Sequence, residues 1–199
     1  MAPGVCVRVA NALDLQTDLT VLIHDAFKPL DYWKDFMAEG APTRTGVAMD
    51  VHKYQVFTSD EVSRTEDQHI NATCQLGSSL SSFHLPVIVG EWSAAYTDCA
   101  KYLNGRGRGS RYDGTFDTTT KAIGTCENKS GSGENFSEEY KTFLRKYWEA
   151  QVITWEKGAG WVHWTWKTQE ADDWSYQAGL EGGWIPQDPT EREFPTVCG

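Results

Sequence analysis

The sequence predicts an α/β fold built on a parallel sheet. Four short apolar runs occur along the chain, at residues 19–25, 45–54, 85–92 and 159–167. These runs are mostly continuous rather than alternating with polar residues, which is typical of strands buried on both faces of a parallel sheet. Segments with helical spacing lie between them, and this alternation indicates repeated strand–helix units.

The clearest helix is predicted at residues 137–158. It begins at Ser137, a residue type that caps helix N-termini, and it ends at Gly158, a residue type that commonly follows a helix C-terminus. Two shorter helices are predicted at residues 31–40 and 63–82, and a helical remnant at residues 7–17.

A long connection at residues 100–136 is rich in glycine, aspartate and threonine. Connections of this length inside a compact domain are usually functional, disordered or cross-linked. The chain has no internal repeat and no linker-like segment. Residues 1–199 are therefore expected to form a single domain, or part of one.

The composition favours a neutral partner. The net charge is −10, so binding to nucleic acid or to an anionic membrane surface would meet repulsion. No apolar run approaches the roughly 18 residues that a membrane helix requires. Nine tryptophans are many for 199 residues. Aromatic rings usually fill cores, but they are also the surfaces on which sugar rings stack.

Cysteines and sequons point to the secretory pathway, although the first residues lack the features of a secretory signal. The five cysteines have no metal-ligand spacing, so neither a metal nor a cofactor is predicted. Sequons occur at Asn71, Asn128 and Asn135. Together with the acidic charge, these features suggest two disulfides, with Cys6 as the odd residue.

Polar and aromatic side chains follow each predicted strand. In parallel barrels, functional groups lie at the carboxyl ends of the strands. A carboxylate there can attack a sugar, polar groups can bind hydroxyls, and an indole can stack below the ring. The simpler alternative is that the glutamate forms a salt bridge, the histidines pack at the rim and the tryptophans fill the interior. These strand ends carry His24, Asp25, His52, Tyr54, Glu91, Trp164 and Trp166.

Extended strings in these regions resemble a known family. The strings "GEWSAAYTDCAKYLNGRGRGSRYDG", "MDVHKYQVF", "IHDAF" and "GWVHWTWKT" are very similar to fungal exo-β-1,3-glucanases of glycoside hydrolase family 5. The resemblance runs from about residue 15 to the end of the chain. It implies a (β/α)8 TIM barrel, of which this chain would be the C-terminal half with strands five to eight.

The resemblance also implies roles for individual residues. Glu91 matches the catalytic nucleophile, and His52 and Tyr54 match the pair that forms hydrogen bonds around it. Trp164 matches the platform under the non-reducing glucose, with Trp166 as its neighbour. The resemblance further places Phe57 and Phe27 at the entrance, and it pairs Cys99 with Cys126 and Cys74 with Cys198.

One family element is missing from the sequence. The acid/base glutamate of the family lies in an "NEP" motif, which does not occur here; Glu134 and Asn135 stand in the reverse order within a polar loop. Two departures accompany this absence: Val51 and Lys53 stand where relatives often carry extra histidines around His52, and His163 replaces a residue that is usually apolar.

The function expected from the resemblance is a secreted or cell-wall retaining hydrolase that releases glucose from the non-reducing ends of β-1,3-glucan. The expected partner that completes the barrel is a missing N-terminal half, which would carry the acid/base, or a second copy of the chain. The alternative is a non-catalytic glucan-binding or defunct glycosidase remnant. A third interpretation is a disulfide-linked secreted domain whose aromatic residues all belong to the core.

Overall fold

The computed structural model describes residues 20–38 and 46–199. The helix predicted at residues 7–17 and Cys6 lie outside the described residues. The same holds for residue 19 of the first strand, residue 45 of the second and the last two residues of the helix predicted at 31–40.

Four parallel strands form one sheet in the order β1-β2-β3-β4. This confirms the predicted α/β class, and such a sheet with helices beside it is compatible with half of a (β/α)8 barrel. Within the described residues the sheet is open at β1 and at β4. The strands are β1 (Val21–His24), β2 (Val47–His52), β3 (Val87–Glu91) and β4 (Gly160–Trp161).

The fourth strand is much shorter than residues 159–167, so its predicted length was wrong. After Trp161 the chain still follows β3, because the backbone N–H of Val162 donates to the carbonyl of Val89 and that of Trp164 donates to Trp92. The ladder then ends, and the backbone N–H of Thr165 turns to the carbonyl of Trp174.

The described α-helices differ in part from the predicted ones. The predicted helix at 31–40 is a single 3₁₀ turn, Leu30–Trp33, which follows Pro29 and passes into turns. The α-helices are α1 (Ser59–Val62), α2 (Glu66–Cys74), α3 (Gly77–Ser82), α4 (Glu138–Trp155) and α5 (Tyr176–Gly182). None of them is long and apolar enough to cross a membrane, a finding that applies to the described residues only.

The single helix predicted at 63–82 was wrong, because two helices replace it. Its true start is Thr65, whose hydroxyl accepts from the Gln68 backbone N–H while the Gln68 side chain accepts from the backbone N–H of Thr65. This reciprocal pair satisfies two otherwise free donors and fixes the first turn. A turn at residues 75–76 then separates α2 from α3.

The helix predicted at 137–158 is confirmed as α4, although it ends at Trp155, before the predicted end. The Ser137 hydroxyl accepts from the Tyr140 backbone N–H at 3.2 Å, as expected for a helix start. One side of α4 packs against α2 and the sheet. Met49 and Val89 on the helix-facing side of the sheet are fully buried there. On the opposite face, apolar side chains at the two edges remain exposed: Leu22 by 53% and Val162 by 58%.

Both implied disulfides are present, Cys74–Cys198 and Cys99–Cys126. The second closes the long connection after β3, where Asp98 is the buried centre of the loop. Burial alone would raise the pKa of Asp98, but hydrogen bonds from the backbone N–H groups of Arg111 and Tyr112 outweigh it and hold that pKa below its usual value.

Candidate active site

Glu91 lies at the carboxyl end of β3, with its side chain 30% exposed. The Tyr54 hydroxyl donates to Glu91 Oε2 at 3.1 Å. The Nδ1 atom of His52 lies 3.3 Å from the same oxygen. The structure thus brings together the three residues to which the resemblance assigns catalytic roles, although they come from two different strand ends.

A register irregularity places His52 beside Glu91. Val51 pairs with Val89, but the next residue, His52, pairs with Glu91, so that Gly90 is passed over. The backbone N–H of Lys53 then donates to the Glu91 carbonyl at 2.8 Å. The irregularity therefore aligns the ends of β2 and β3 and directs alternate side chains of the β2 end toward one carboxylate.

Asp50 belongs to this cluster, and the sequence analysis missed it. Its Oδ2 atom lies 3.3 Å from His52 Nε2, so both ring nitrogens of His52 face a carboxylate. The spacing between Asp50 and His52 could have identified Asp50 as part of the site, because residues two apart on a strand share a face of the sheet. Asp50 and His52 both point away from the helices that cover Met49 and Val51.

The phenol of Tyr54 is held in its protonated form. Burial raises the pKa of Tyr54 well above its ordinary value of 10, and the negative charge of Glu91 and the hydrogen bond to it raise that pKa further. Tyr54 is therefore a permanent donor to Glu91 across the pH range in which proteins are stable.

The end of β1 adds a turn with Phe27 at its tip. Asp25 is completely buried, accepts from the Phe27 backbone N–H at 2.8 Å and lies 3.5 Å from the Lys53 ammonium. The His24 ring contacts the His52 ring edge-on, with centroids 4.3 Å apart. The Phe27 ring, 76% exposed, has its centroid 6.1 Å from that of His52. Lys53 is thus directed to Asp25.

An open cavity of about 730 Å³ has Phe27, His52, Tyr54 and Phe57 in its wall. The Phe57 ring is 47% exposed and stands edge-on to Tyr54, with centroids 5.5 Å apart. Two predicted aromatic residues therefore line the same cavity as two of the polar residues around Glu91. Within the part of the chain that the structure describes, no cluster of three histidine, cysteine or carboxylate side chains could hold a metal ion.

The two candidate platform tryptophans are exposed, Trp164 by 51% and Trp166 by 60%. The backbone N–H of Trp164 donates to the carbonyl of Trp92, the residue that follows Glu91, and the peptide bond between Trp164 and Thr165 is cis. Trp166 stacks on Tyr176, with centroids 5.9 Å apart. Trp164 is thus the one anchored next to the nucleophile candidate.

His163 packs against two aromatic rings beside the candidate platform. Its ring lies between Trp92 and Tyr176, with centroid distances of 4.9 and 5.3 Å. Burial lowers the pKa of His163 to about 3, so the ring is uncharged near neutral pH. It therefore fills space where an apolar side chain would also fit.

The chain is similar in sequence to several fungal glucan 1,3-beta-glucosidases. The chain is 42% identical over 192 residues to the probable glucan 1,3-beta-glucosidase A of Aspergillus niger, covering 96% of this chain and 45% of that protein. It is 44% identical to the glucan 1,3-beta-glucosidase of Kluyveromyces lactis, covering 93% of this chain and 43% of the relative. It is 40% identical to glucan 1,3-beta-glucosidase I/II of Saccharomyces cerevisiae, covering 94% of this chain and 42% of that protein.

The resemblance to fungal glucan 1,3-beta-glucosidases is confirmed. The chain matches the C-terminal part of these glucan 1,3-beta-glucosidases and spans less than half of their length. No protein-family model matches the chain. Because the match to the Aspergillus protein covers 96% of the chain, the similarity to glucan 1,3-beta-glucosidases includes nearly all of the described sheet and loops.

The remaining predicted positions lie on the surface. Asn71, Asn128 and Asn135 are all exposed, so each sequon is accessible. Glu134 and Asn135 lie in the 3₁₀ helix Gly133–Asn135, in the loop that precedes α4. This pair therefore belongs to the end of the long connection and not to the end of a strand.

Proposed function

We propose that this chain is the nucleophile-bearing, C-terminal half of a retaining exo-β-1,3-glucan hydrolase. It would form strands five to eight of a (β/α)8 barrel as part of a single catalytic domain. The observation that carries the proposal is Glu91 at the carboxyl end of a parallel strand, held on one oxygen by Tyr54 and His52. The similarity to glucan 1,3-beta-glucosidases supplies the substrate class, a β-1,3-glucan.

The proposed reaction is a double displacement. A Glu91 oxygen forms a bond to the anomeric carbon while the glycosidic C–O bond breaks and the leaving oxygen takes a proton from an acid. Water then hydrolyses the glucosyl ester with a second inversion, so the anomeric configuration is retained. Both described contacts fall on Glu91 Oε2, which leaves Oε1 for attack.

The exposed rings supply the proposed sugar surfaces. Trp164, anchored beside Trp92, would lie under the non-reducing glucose, with Trp166 next to it. Phe27 and Phe57 would line the entrance, where the next glucose binds. Flat, rigid rings suit this task, because they bury the apolar face of a sugar at little cost in side-chain entropy.

The acid/base has to come from outside this chain. Retaining glycosidases use two carboxyl groups about 5 Å apart, and the family's acid motif is absent from the sequence. A further stretch of the natural protein or a different chain would supply it, because a second copy of this chain lacks the motif as well. The two disulfides and three exposed sequons are in keeping with a secreted or cell-wall protein.

The test uses a substrate that needs no acid catalysis. A 2-deoxy-2-fluoro-β-glucoside with a dinitrophenolate leaving group should glucosylate Glu91 in the 199-residue chain, and peptide mass spectrometry should locate the label there. The Glu91→Gln variant should lose the label, while Glu134→Gln, an exposed loop control, should keep it. Labelling elsewhere, or none in the unmodified chain, would refute the proposed nucleophile.

A non-catalytic glucan-binding role is the second candidate. It is favoured by the exposure of Trp164 and Trp166 together with the missing acid motif. Quenching of tryptophan fluorescence by laminari-oligosaccharides without labelling of Glu91 would support this role over hydrolysis. Absence of both signals would leave neither function standing.

A further inference from the structure

Asp50 is a polar residue of the candidate site to which the resemblance assigns no role. We propose that Asp50 is a positioning residue, which orients the Glu91 carboxylate by holding the imidazole of His52 between the two. This inference rests on the proposed function of Glu91 and extends it by one residue. Asp50 itself would touch neither the sugar nor the reacting atoms.

The contacts form a continuous chain from Asp50 to Glu91. Asp50 Oδ2 lies 3.3 Å from His52 Nε2, and His52 Nδ1 lies 3.3 Å from Glu91 Oε2. The two contacts use opposite nitrogens of one ring, so the ring cannot turn without losing both. The position of His52, and with it that of Glu91 Oε2, is therefore tied to the Asp50 carboxylate.

Gly90 provides an independent indication that the fold reserves space for this carboxylate. A Cβ atom at position 90 would lie only 2.0 Å from Asp50 Oδ1 and 2.9 Å from its Cγ. Any side chain there would displace the Asp50 carboxylate. The glycine that precedes the nucleophile is therefore needed for Asp50, and the Gly-Glu pair and Asp50 form one arrangement across β2 and β3.

Asp50 would also hold the His52 ring during the step in which Glu91 carries no negative charge. The two carboxylates lie at the two nitrogens of one imidazole ring, so each helps to hold that ring in place. When the carboxylate of Glu91 becomes a neutral ester, the Asp50 carboxylate still lies beside His52 Nε2 and keeps the ring in position for the second step.

The first test compares three forms of the 199-residue chain: unmodified, Asp50→Asn and Asp60→Asn. Asp60 is an exposed aspartate in α1 and serves as the matched control. In the Asp50→Asn variant, the activated 2-fluoroglucoside should label Glu91 about 10- to 100-fold more slowly, the rate change expected when one contact with a charged group is lost. The reagent concentration for half-maximal rate should not change. An unchanged labelling rate would overturn the inference.

A second readout does not depend on labelling. The NMR nitrogen shifts of the His52 ring should change in Asp50→Asn and stay constant in Asp60→Asn, because Asp50 contacts that ring and Asp60 does not. If the unmodified chain fails to label Glu91 but these shifts respond, the proposed nucleophile fails while the Asp50–His52 contact stands. If the His52 shifts do not respond to Asp50→Asn, the positioning role fails.

A double-mutant cycle separates positioning from general disruption. Gly90→Ala alone should slow labelling, because the new methyl group collides with the Asp50 carboxylate. In an Asp50→Ala background that collision is gone, so the same Gly90 substitution should slow labelling several-fold less. Equal slowing by Gly90→Ala in both backgrounds would contradict the proposed arrangement.

Discussion

The Ser130 hydroxyl donates a 2.7 Å hydrogen bond to the carboxyl group of Asp173, which is 1% exposed. This bond joins the loop before α4 to the 3₁₀ helix Asp172–Trp174. Trp174 in that helix packs on Tyr54, with centroids 5.6 Å apart, and its carbonyl accepts from Thr165. Asp173 therefore supports the segment that connects Tyr54 with the turn after Trp164.

The folded chain should lose stability as the pH rises from about 4 to about 7 because of Asp173. Burial raises the pKa of Asp173 to about 7, and the nearby Asp172 adds to this, against an ordinary value near 4. The stabilising contribution is complete below the ordinary pKa and is lost as the pH rises through the folded value. The loss should be up to about 4 kcal/mol of unfolding free energy.

The measurement is urea unfolding at several pH values between about 4 and 8. Because other groups also titrate, the informative quantity is the difference in unfolding free energy between the unmodified chain and the Asp173→Asn variant. As the pH rises, the unmodified chain should lose stability relative to the Asp173→Asn variant. Asp60→Asn, at an exposed position in α1, is the control. Parallel pH profiles for the unmodified chain and Asp173→Asn would contradict the prediction.

Replacing Tyr54 by phenylalanine should slow labelling of Glu91 by about 10- to 100-fold. The change removes the donor at 3.1 Å from Glu91 Oε2 and keeps the ring that contacts Phe57 and Trp174. Since the pKa of Tyr54 is raised, the unmodified chain should show no Tyr54-dependent change in rate up to pH 10.

The matched control for this prediction is Tyr102→Phe, at a tyrosine that is 61% exposed. Rates of labelling by the activated 2-fluoroglucoside, followed by mass spectrometry, compare the two variants. If both variants label at the rate of the unmodified chain, Tyr54 does not act on Glu91.

The Cys74–Cys198 disulfide should stabilise the chain more than Cys99–Cys126. The two bonds span 124 and 27 residues, and closing the longer loop removes more entropy from the unfolded chain. On this model each contributes about 3–5 kcal/mol, and the difference is about 1 kcal/mol. Two double variants remove one disulfide each, by Cys→Ser substitution at 74 and 198 or at 99 and 126. Chemical unfolding of these variants measures the contribution of each disulfide to the unfolding free energy. A larger loss from the pair at 99 and 126 would point to loop packing instead.

The sequence predicted those parts of the fold that are encoded locally. The apolar runs located β2 and β3, and Ser137 located the start of α4, because burial and capping act within a few residues. The contact of His52 and Tyr54 with Glu91 also agrees with what the resemblance implied.

Other features depend on contacts that are distant in sequence. The early end of β4 follows from the turn that Thr165 makes to Trp174, which no local pattern encodes. The role of Asp50 beside Gly90 depends on the register irregularity between β2 and β3. The start of α2 was within reach of the sequence, because Thr65 and Gln68 form a recognisable capping pair.

Trp164 should matter more than Trp166 for sugar binding, although both rings are more than half exposed. Trp166 already stacks on Tyr176, whereas the Trp164 backbone is bound to Trp92, next to Glu91. Losing a stacking ring costs about 1 kcal/mol, so Trp164→Ala should weaken oligosaccharide binding by up to about tenfold. Calorimetry with laminaritriose on a Glu91→Gln background measures this without turnover. Equal weakening by Trp166→Ala would mean that the two rings form one continuous platform, with Tyr176 supporting its outer end.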